Sequence, residues 1–337
     1  MDGRHRTKEP PRRAAMQTNG PTQIAKGMIG VDLSGPILRA SLVTSDGAIL
    51  RSVEAPLERD ALSAQIARLV ADLGGNQQAR SLGIGLPGLV DPQSGRVHFS
   101  TDLAATMRED FHSELEATTG LPVLLENDAN AAAYGEYVAG AGRGSRCIFY
   151  VLLGYGIGGA LIFDGHIWRG ASGFAGEFGH ITIDPNGIQC ACGNVGCLET
   201  VASAPNIVRR THERLFRDGT SSLSKLATNR DFTVSDITRE ARNGDDFALL
   251  MLERTGRYIG TAIAAIINLL NVERIILGGI VMEAGELLLD PIIREARRRS
   301  FQPCFETTEI TAAQLGLDAV TVGAALLAAR KHETTNP

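Results

Sequence analysis

The chain has 337 residues, of which 44% are hydrophobic and 21% are charged, a composition typical of a globular protein. Its formal net charge of −5 excludes a general electrostatic attraction to nucleic acid or to an anionic membrane. No apolar run approaches the roughly 20 residues that a membrane-spanning helix requires. The length predicts two domains, or one large unit with two lobes.

Residues 1–27 differ from the rest of the chain, because they combine basic residues and prolines with no apolar core. This composition predicts a disordered basic tail, and the absence of an apolar h-region excludes a secretory signal. A basic arm that contacts DNA is the alternative, although such a charge run is usually only solvated. The segment is too short for a helix-turn-helix domain, and Met16 or Met28 is an alternative start of translation.

From residue 28 onward, short apolar runs predict strands that are separated by turns. The second and third strands are joined by Asp46-Gly47, a hairpin signal. An amphipathic helix and two further strands follow, and the last strand leads into a helix that starts at Asp128. The predicted segments are strands 28–32, 38–44, 49–53, 81–86 and 121–125, helix 61–73, and a helix start at 128–133.

The same pattern returns near residue 150, where a predicted strand at 147–153 leads through a glycine-rich turn at 154–159 into a strand at 160–163. A second hairpin signal, Asp164-Gly165, follows. The repetition predicts two related α/β lobes, at residues 28–140 and 141–337, with a ligand cleft beyond their strand ends. The other predicted segments of the second lobe are helices 202–216, 245–270 and 316–331 and strand 272–277.

Three of the five cysteines lie within eight residues, as Cys190, Cys192 and Cys197, and His180 precedes the first of them by ten residues. Three thiolates and one imidazole form the closed tetrahedral set of a structural zinc site. Disulfides and scattered core cysteines are the alternatives, but the first require export and the second are usually isolated. We therefore predict zinc in a loop at 180–197, and a reducing, cytoplasmic location. A closed site leaves no position for water, so this metal is expected to hold structure.

Two carboxylates, Glu177 and Glu199, flank the predicted zinc ligands. Carboxylates on a loop that a metal holds in place are good acceptors for sugar hydroxyls. By themselves, the two residues are better explained as solvated surface acids.

The segment Glu177-x-x-His180, followed by Cys-x-Cys-Gly-x-x-Gly-Cys-x-Glu, resembles the signature of the ROK family of sugar kinases and sugar-responsive repressors. The resemblance extends from about residue 29 to about residue 331. It implies an α/β fold of the actin-like (ribonuclease H-like) type with two lobes, and a homo-oligomer, dimer or tetramer. It also implies that Glu177, His180 and Glu199 bind a small-molecule sugar.

The segment Glu126-Asn-Asp-Ala-Asn130 lies between a predicted strand and a predicted helix, where an acidic residue such as Asp128 often serves only as a helix cap. The family resemblance implies instead that Asp128 is the catalytic base and Asn127 a sugar ligand, with Gly88 approaching the sugar through its backbone. Asp102 occupies a position where many family kinases have asparagine. A carboxylate accepts hydrogen bonds from hydroxyls but donates none, so the sugar preference is expected to differ.

All three nucleotide loops depart from the family pattern. The first has Ser34 and Pro36 where family kinases have glycine and threonine, so Pro36 offers a phosphate neither a hydroxyl nor an N–H. The second has Leu152 and Tyr155 in place of two threonines, and the third has Ile280 in place of a glycine. By resemblance, Asp32 holds magnesium through water, and the other nucleotide-binding residues are Gly35, Gly154, Gly156, Gly158, Gly159, Gly278 and Gly279.

Two functions are predicted as alternatives. Asp128, Asp32 and the surviving glycines favour a glucokinase-like enzyme that uses ATP and magnesium to phosphorylate a hexose or hexosamine. The altered phosphate loops favour a non-catalytic sugar-binding regulator. The family's repressors carry a helix-turn-helix module, so nucleic acid is expected as a partner only if such a module is missing from this sequence. The sequence leaves open which sugar binds, and whether Tyr155 blocks the nucleotide pocket or stacks on the base.

Overall fold

A computed structural model describes residues 26–91, 94–100, 110–215, 220–229 and 231–335. Its framework is two five-stranded sheets and a two-stranded ribbon. The strands are β1 (Gly27–Asp32), β2 (Ile37–Val43), β3 (Ile49–Pro56), β4 (Ala79–Leu86), β5 (Leu89–Asp91), β6 (Arg96–Phe99), β7 (Val123–Asn127), β8 (Cys147–Leu153), β9 (Ile157–Phe163), β10 (His166–Ile167), β11 (Arg274–Gly278) and β12 (Glu309–Ala312).

The two sheets have the same topology. Their strand orders are β3-β2-β1-β4-β7 and β10-β9-β8-β11-β12. In each sheet an antiparallel meander of three strands is extended by two parallel strands. The hairpin between β9 and β10 turns at Asp164 and Gly165, whose φ angles are 47° and 77°. The predicted internal repeat, with a turn at Asp46-Gly47 in the first copy, is confirmed.

Helices cover the sheets and bury their apolar side chains in separate hydrophobic cores. They are α1 (Leu62–Asp72), α2 (Gly75–Gln78), α3 (Phe111–Thr119), α4 (Asp128–Ala139), α5 (Glu199–Ala202), α6 (Ala204–Leu215), α7 (Ser222–Asn229), α8 (Val234–Arg242), α9 (Asp246–Leu270), α10 (Glu286–Arg299), α11 (Gln302–Glu306) and α12 (Ala319–Thr335). Within the ranges that the structure describes, no helix combines the length and the apolar character needed to cross a membrane.

The last helix, α12, packs against the first sheet. Gly30 in β1 and Gly83 in β4 make this close approach possible, since a Cβ added to Gly30 would lie 1.8 Å from the carbonyl oxygen of Thr321. Helix α4 contacts α12 as well as β8 and β9, so both helices lie between the two sheets. The lobe limits at 28–140 and 141–337 remain a prediction, because α12 belongs by sequence to the second range.

Several predicted boundaries are wrong, and three of them bear on the organisation of the chain. Gly27, assigned to the basic tail, is the first residue of β1, and the rest of that tail up to residue 25 lies outside the described residues. The glycine-rich segment 154–159 is a turn only over its first three residues, because β9 already begins at Ile157 and pairs with β8. The helix predicted at 202–216 begins only at Ala204, because Ala202 is the last residue of the short α5 and Ser203 is extended. The proline that follows lacks an N–H and suits the first turn of a new helix.

Candidate active site

A cleft of about 710 Å³ opens where the parallel strands of the two sheets end. Its volume lies within the roughly 300–1,000 Å³ that is usual for small-molecule sites. Both lobes contribute to its lining. The predicted site residues that line it are Asp32, Gly35, Gly88, Asn127, Asp128, Gly154, Gly156, Gly158, Gly159, Glu177, His180, Cys192, Glu199 and Gly279.

Two predicted residues do not take part in this lining as expected. Gly278 ends β11 beneath the cleft, where a Cβ would lie 2.0 Å from the hydroxyl oxygen of the buried Tyr150. Asp102 falls outside the described residues, so its predicted sugar contact stays a prediction.

Asp128 is the first residue of α4 and is only 8% exposed. Its Oδ1 atom accepts the backbone N–H of Ala129 at 2.8 Å. The helix cap is the preceding residue, Asn127, whose Oδ1 accepts the backbone N–H of Asn130 at 3.0 Å. The interpretation of Asp128 as a simple cap is therefore wrong, and its burial in the cleft needs another explanation.

Burial raises the pKa of Asp128 to about 7, and the nearby carboxylates of Asp32 and Glu177 contribute to the increase. A carboxylate with a pKa near neutrality is suited to general-base work, because it can take up a proton from a reacting hydroxyl. Burial also raises the pKa of Asp32, although hydrogen bonds from Ser34 oppose the increase. The floor of the cleft thus holds two buried acids with raised pKa values.

The loop after β1 closes on Asp32. The backbone N–H and the hydroxyl of Ser34 both donate to Oδ1 of Asp32, at 2.8 and 2.6 Å. On the opposite side of the cleft, Tyr155 is 44% exposed, and its ring lies 3.4 Å from the position that a Cβ on Gly35 would occupy. The predicted phosphate loop after β1 and the one after β8 therefore meet, through Gly35 of the first loop and Tyr155 of the second. Pro36 and Ile280, two of the departures from the family pattern, also line the cleft.

The predicted sugar-binding residues are held by hydrogen bonds between segments that are distant in sequence. Oε2 of Glu199 accepts the backbone N–H of Ile157 at 2.8 Å. The side-chain amide of Asn127 donates to the carbonyl oxygen of Gly88 at 3.1 Å. The first bond holds α5 against the start of β9, and the second joins the end of β7 to the segment that follows β4.

The four predicted metal ligands come together. The ligand atoms of His180, Cys190, Cys192 and Cys197 all lie within 4.8 Å of one another, so the cluster could hold a metal ion. Sγ of Cys190 is 3.6 Å from Nδ1 of His180, and Sγ of Cys192 is 3.8 Å from Sγ of Cys197. A tetrahedron with metal–sulfur distances of about 2.3 Å has edges of about 3.8 Å, so the residues fit such an ion. Burial raises the pKa of Cys197 to about 12, so an incoming metal must displace its proton.

The loop that carries the cysteines depends on a glycine at its tightest point. Gly196 has a φ of 73°, and a Cβ there would lie 1.6 Å from the carbonyl oxygen of Asp184. His180 connects this loop to the cleft, because its Nδ1 faces Cys190 while its Nε2 lies 3.8 Å from Oε2 of Glu177. The two roles predicted for His180, metal ligand and sugar contact, thus fall on different ring nitrogens.

Sequence reasoning missed one pair of residues beneath the cleft. Glu126 is 1% exposed and accepts hydrogen bonds from the backbone of Asn127 and from the side chains of Asn130 and Arg169. Its place beside Asn127 was the only available signal, and nothing in the sequence connected it with Arg169.

Two repeated α/β lobes around a cleft with a buried carboxylate on its floor match the two-lobed fold that the family resemblance implied. A family model described as the ROK family matches residues 28–331, and the chain belongs to this family. The predictions of the family and of the fold class are confirmed.

The chain is similar to members of the family with different functions. It is 38% identical to the glucokinase of Thermotoga maritima over 304 residues, which cover 88% of this chain and 96% of that protein. Its structure resembles that of a ROK family glucokinase from Streptomyces griseus in complex with glucose and AMPPNP, with a TM-score of 0.83, 34% identity, and coverage of 90% and 99%. It is 31% identical to the DNA-binding transcriptional repressor Mlc of Escherichia coli, and the match covers 74% of this chain and 61% of Mlc.

Proposed function

We propose that the chain is a sugar kinase that transfers the γ-phosphate of ATP to a hydroxyl of a hexose or hexosamine. The observation that carries this proposal is Asp128, a buried carboxylate with a pKa of about 7 on the floor of a cleft between two lobes. The similarity to glucokinases over nearly their whole length supports it, as does the likeness to a glucokinase structure with glucose and AMPPNP.

In the proposed reaction, Asp128 accepts the proton of the attacking sugar hydroxyl. Its pKa of about 7 leaves a large fraction of the side chain ionised at neutral pH and still basic enough to hold the proton. The sugar is held next to it by polar groups at one end of the cleft. The residues proposed to bind the sugar are Gly88, Asp102, Asn127, Asp128, Glu177, His180 and Glu199.

The nucleotide is proposed to lie at the other end of the cleft, along the glycine loops. Magnesium, when bound, neutralises charge on the transferring phosphate, and Asp32 is the residue proposed to hold it through water. Asp32 fits this role, because it lines the cleft and both hydrogen bonds from Ser34 go to its Oδ1 atom and neither to Oδ2. Backbone N–H groups near Gly154, Gly156 and Gly279 are the proposed phosphate contacts.

We assign structural zinc to the cluster of His180, Cys190, Cys192 and Cys197. Soft thiolates with one imidazole favour zinc over magnesium or calcium, and four protein ligands leave no open position for catalysis. Free cysteines of this kind also support a cytoplasmic location, because an oxidising compartment would pair them as disulfides. A homo-oligomer remains a prediction from the family resemblance.

A sugar-binding regulator without kinase activity is the second candidate. Pro36, Tyr155 and Ile280 line the nucleotide end of the cleft in place of the residues that family kinases use there. The similarity to the repressor Mlc is compatible with this candidate. In such a protein the sugar end of the cleft would bind its ligand, while the nucleotide end would have lost its function.

Sugar-dependent release of ADP separates the two candidates. We expect turnover with ATP and magnesium for at least one member of a panel of glucose, mannose, fructose, xylose and N-acetylated hexosamines. A thermal-shift measurement with the same sugars, without nucleotide, provides the comparison. A sugar that raises the melting temperature but gives no turnover would favour the regulator, and a chain that responds to no sugar would contradict both.

Tyr155 is expected to contribute to nucleotide affinity, because its half-exposed aromatic ring faces the nucleotide end of the cleft. Stacking of a base on an aromatic ring contributes about 1–3 kcal/mol. Tyr155→Ala should therefore raise the KM for ATP roughly 5- to 150-fold and leave the KM for sugar unchanged. Tyr155→Phe keeps the ring and should behave like the wild type. A lower KM for ATP in Tyr155→Ala would show instead that the ring blocks the pocket.

A further inference from the structure

Glu126 is a buried carboxylate that organises the strand–helix junction below the cleft. Its Oε1 accepts the backbone N–H of Asn127 at 3.0 Å and the side-chain amide of Asn130 at 3.1 Å. The side chain of Asn127 in turn contacts the carbonyl oxygen of Gly88. Because Asp128 directly follows Asn127, the orientation of the Glu126 carboxylate influences where the proposed base lies.

Arg169 reaches Glu126 from the other sheet. It follows β10, and its Nη1 and Nη2 donate to Oε1 and Oε2 of Glu126 at 2.9 and 2.7 Å. Two parallel charge-assisted bonds between planar groups define orientation as well as distance. The side chain of Arg169 is 27% exposed, whereas that of Glu126 is 1% exposed, so the buried charge obtains its ionic partner across the boundary between the lobes.

Arg169 is also the first residue of the segment that leads to the proposed sugar ligands of the second lobe. Its carbonyl oxygen accepts the backbone N–H of Ala175 at 3.0 Å, which closes the loop 169–175. Glu177 lies two residues beyond this loop and lines the same cleft as Asp128. A single arginine therefore joins the junction that carries the base to the loop that carries an opposing sugar contact.

We propose that Arg169 is a positioning residue for the reaction. Through Glu126 it sets Asn127 and Asp128 in register with the loop that ends at Glu177, so that the sugar hydroxyl meets the base at the correct distance. This proposal rests on the proposed sugar-kinase function. The bidentate geometry requires arginine, because the single ammonium group of lysine cannot make two parallel bonds to one carboxylate.

Steady-state kinetics of Arg169→Ala and Arg169→Lys test the positioning role. We expect kcat/KM for the sugar to fall by roughly 10²-fold in the alanine variant, the scale of a small misplacement of reacting groups. The KM for ATP should remain within about twofold, because the side chain of Arg169 bonds to Glu126 and does not line the cleft in which the nucleotide is proposed to lie. The lysine variant retains the charge, should fold normally, and should recover only part of the loss.

The matched control is Arg146→Ala. Arg146 also makes two bonds to one carboxylate, Asp164, at 2.9 and 3.3 Å, but the pair is exposed and lies away from the cleft. This variant should have the kinetic constants of the wild type. Equal losses in the Arg146 and Arg169 variants would contradict a specific role for Arg169.

Hydrogen exchange provides a readout that does not depend on turnover. In both Arg169 variants, peptides that cover residues 123–133 and 169–180 should exchange faster than in the wild type, while the second sheet remains protected. Wild-type exchange together with wild-type kcat/KM would overturn the proposal. Faster exchange throughout the protein would also overturn the proposal, because it indicates a general loss of stability.

If the wild type phosphorylates no sugar, the proposed function fails. Hydrogen exchange in the two segments still decides whether Arg169 holds them together.

Discussion

Asp128→Asn is expected to lower kcat for sugar phosphorylation by about 10²- to 10⁴-fold, the usual contribution of a positioned general base. An amide cannot accept the hydroxyl proton, but its oxygen can still accept the N–H of Ala129 as the carboxylate does. The cap of α4 is unaffected, because Asn127 provides it. The release of ADP in a coupled assay measures the loss, with the KM for sugar expected to change much less than kcat.

The same substitution is expected to stabilise the fold above neutral pH. Burial raises the pKa of Asp128 from the usual 3.8 to about 7, so the unfolded chain loses this proton at lower pH than the folded protein. The stability of the wild type therefore falls as the pH rises from about 4 to about 7 and then levels off. Asparagine does not titrate, so the variant should be about 1–4 kcal/mol more stable than the wild type at pH 8, and the difference should become small near pH 4.

Two further measurements check this account of Asp128. The wild-type kcat/KM should rise with pH and reach a plateau above about 7, because the base must be ionised to act. Asp60→Asn, which changes an exposed aspartate outside the cleft, should alter neither the rate nor the pH dependence of stability. Full activity in Asp128→Asn would refute the assignment of Asp128 as the base, whatever its effect on stability.

Loss of the metal is the second change from which we expect a large effect. Purified protein should contain about one zinc ion per chain, and Cys192→Ser should contain much less. Because Cys192 is exposed, its replacement by serine removes little packing. A lower melting temperature of this variant therefore measures the stability that the bound metal contributes. Sugar affinity should fall roughly 10- to 100-fold, the scale of one lost hydrogen bond to a charged group, because the loop that orients His180 and Glu177 is no longer held.

Cys304→Ser is the matched control for the metal site. Cys304 is a free cysteine outside the cluster, so its replacement should leave zinc content, sugar affinity and the cleft unchanged. Zinc content is measured by elemental analysis, and sugar affinity by calorimetry. Metal-free protein that melts at the wild-type temperature and binds sugar with the wild-type affinity would disprove the structural role of the ion.

Much of the framework could be predicted from short-range patterns. Apolar runs separated by Asp46-Gly47 and by Asp164-Gly165 indicated two copies of one strand pattern, and the two sheets have the same order. Strand and helix ends were predicted less well, as at Ser203, because the patterns of burial and hydrogen bonding that end an element depend on its neighbours in the fold. The nucleotide loops could be recognised only through the family resemblance, since single glycines have many structural uses.

By itself, the sequence determined which four residues form the candidate metal cluster, the repeated α/β pattern and membership of the ROK family, because these depend on residue types at short and regular spacing. Only the tertiary structure decided the chemistry of the cleft. The pKa of Asp128 depends on its burial and on the nearby carboxylate of Asp32. Asp32 ends β1 and Asp128 follows β7, and the parallel pairing of β1, β4 and β7 brings these two residues to the same edge of the sheet. Arg169 bonds to Glu126 although 43 residues separate them in the sequence, and this contact requires both lobes to be folded. Electrostatic environment and contacts between lobes are properties of position in space, and no local spacing encodes them.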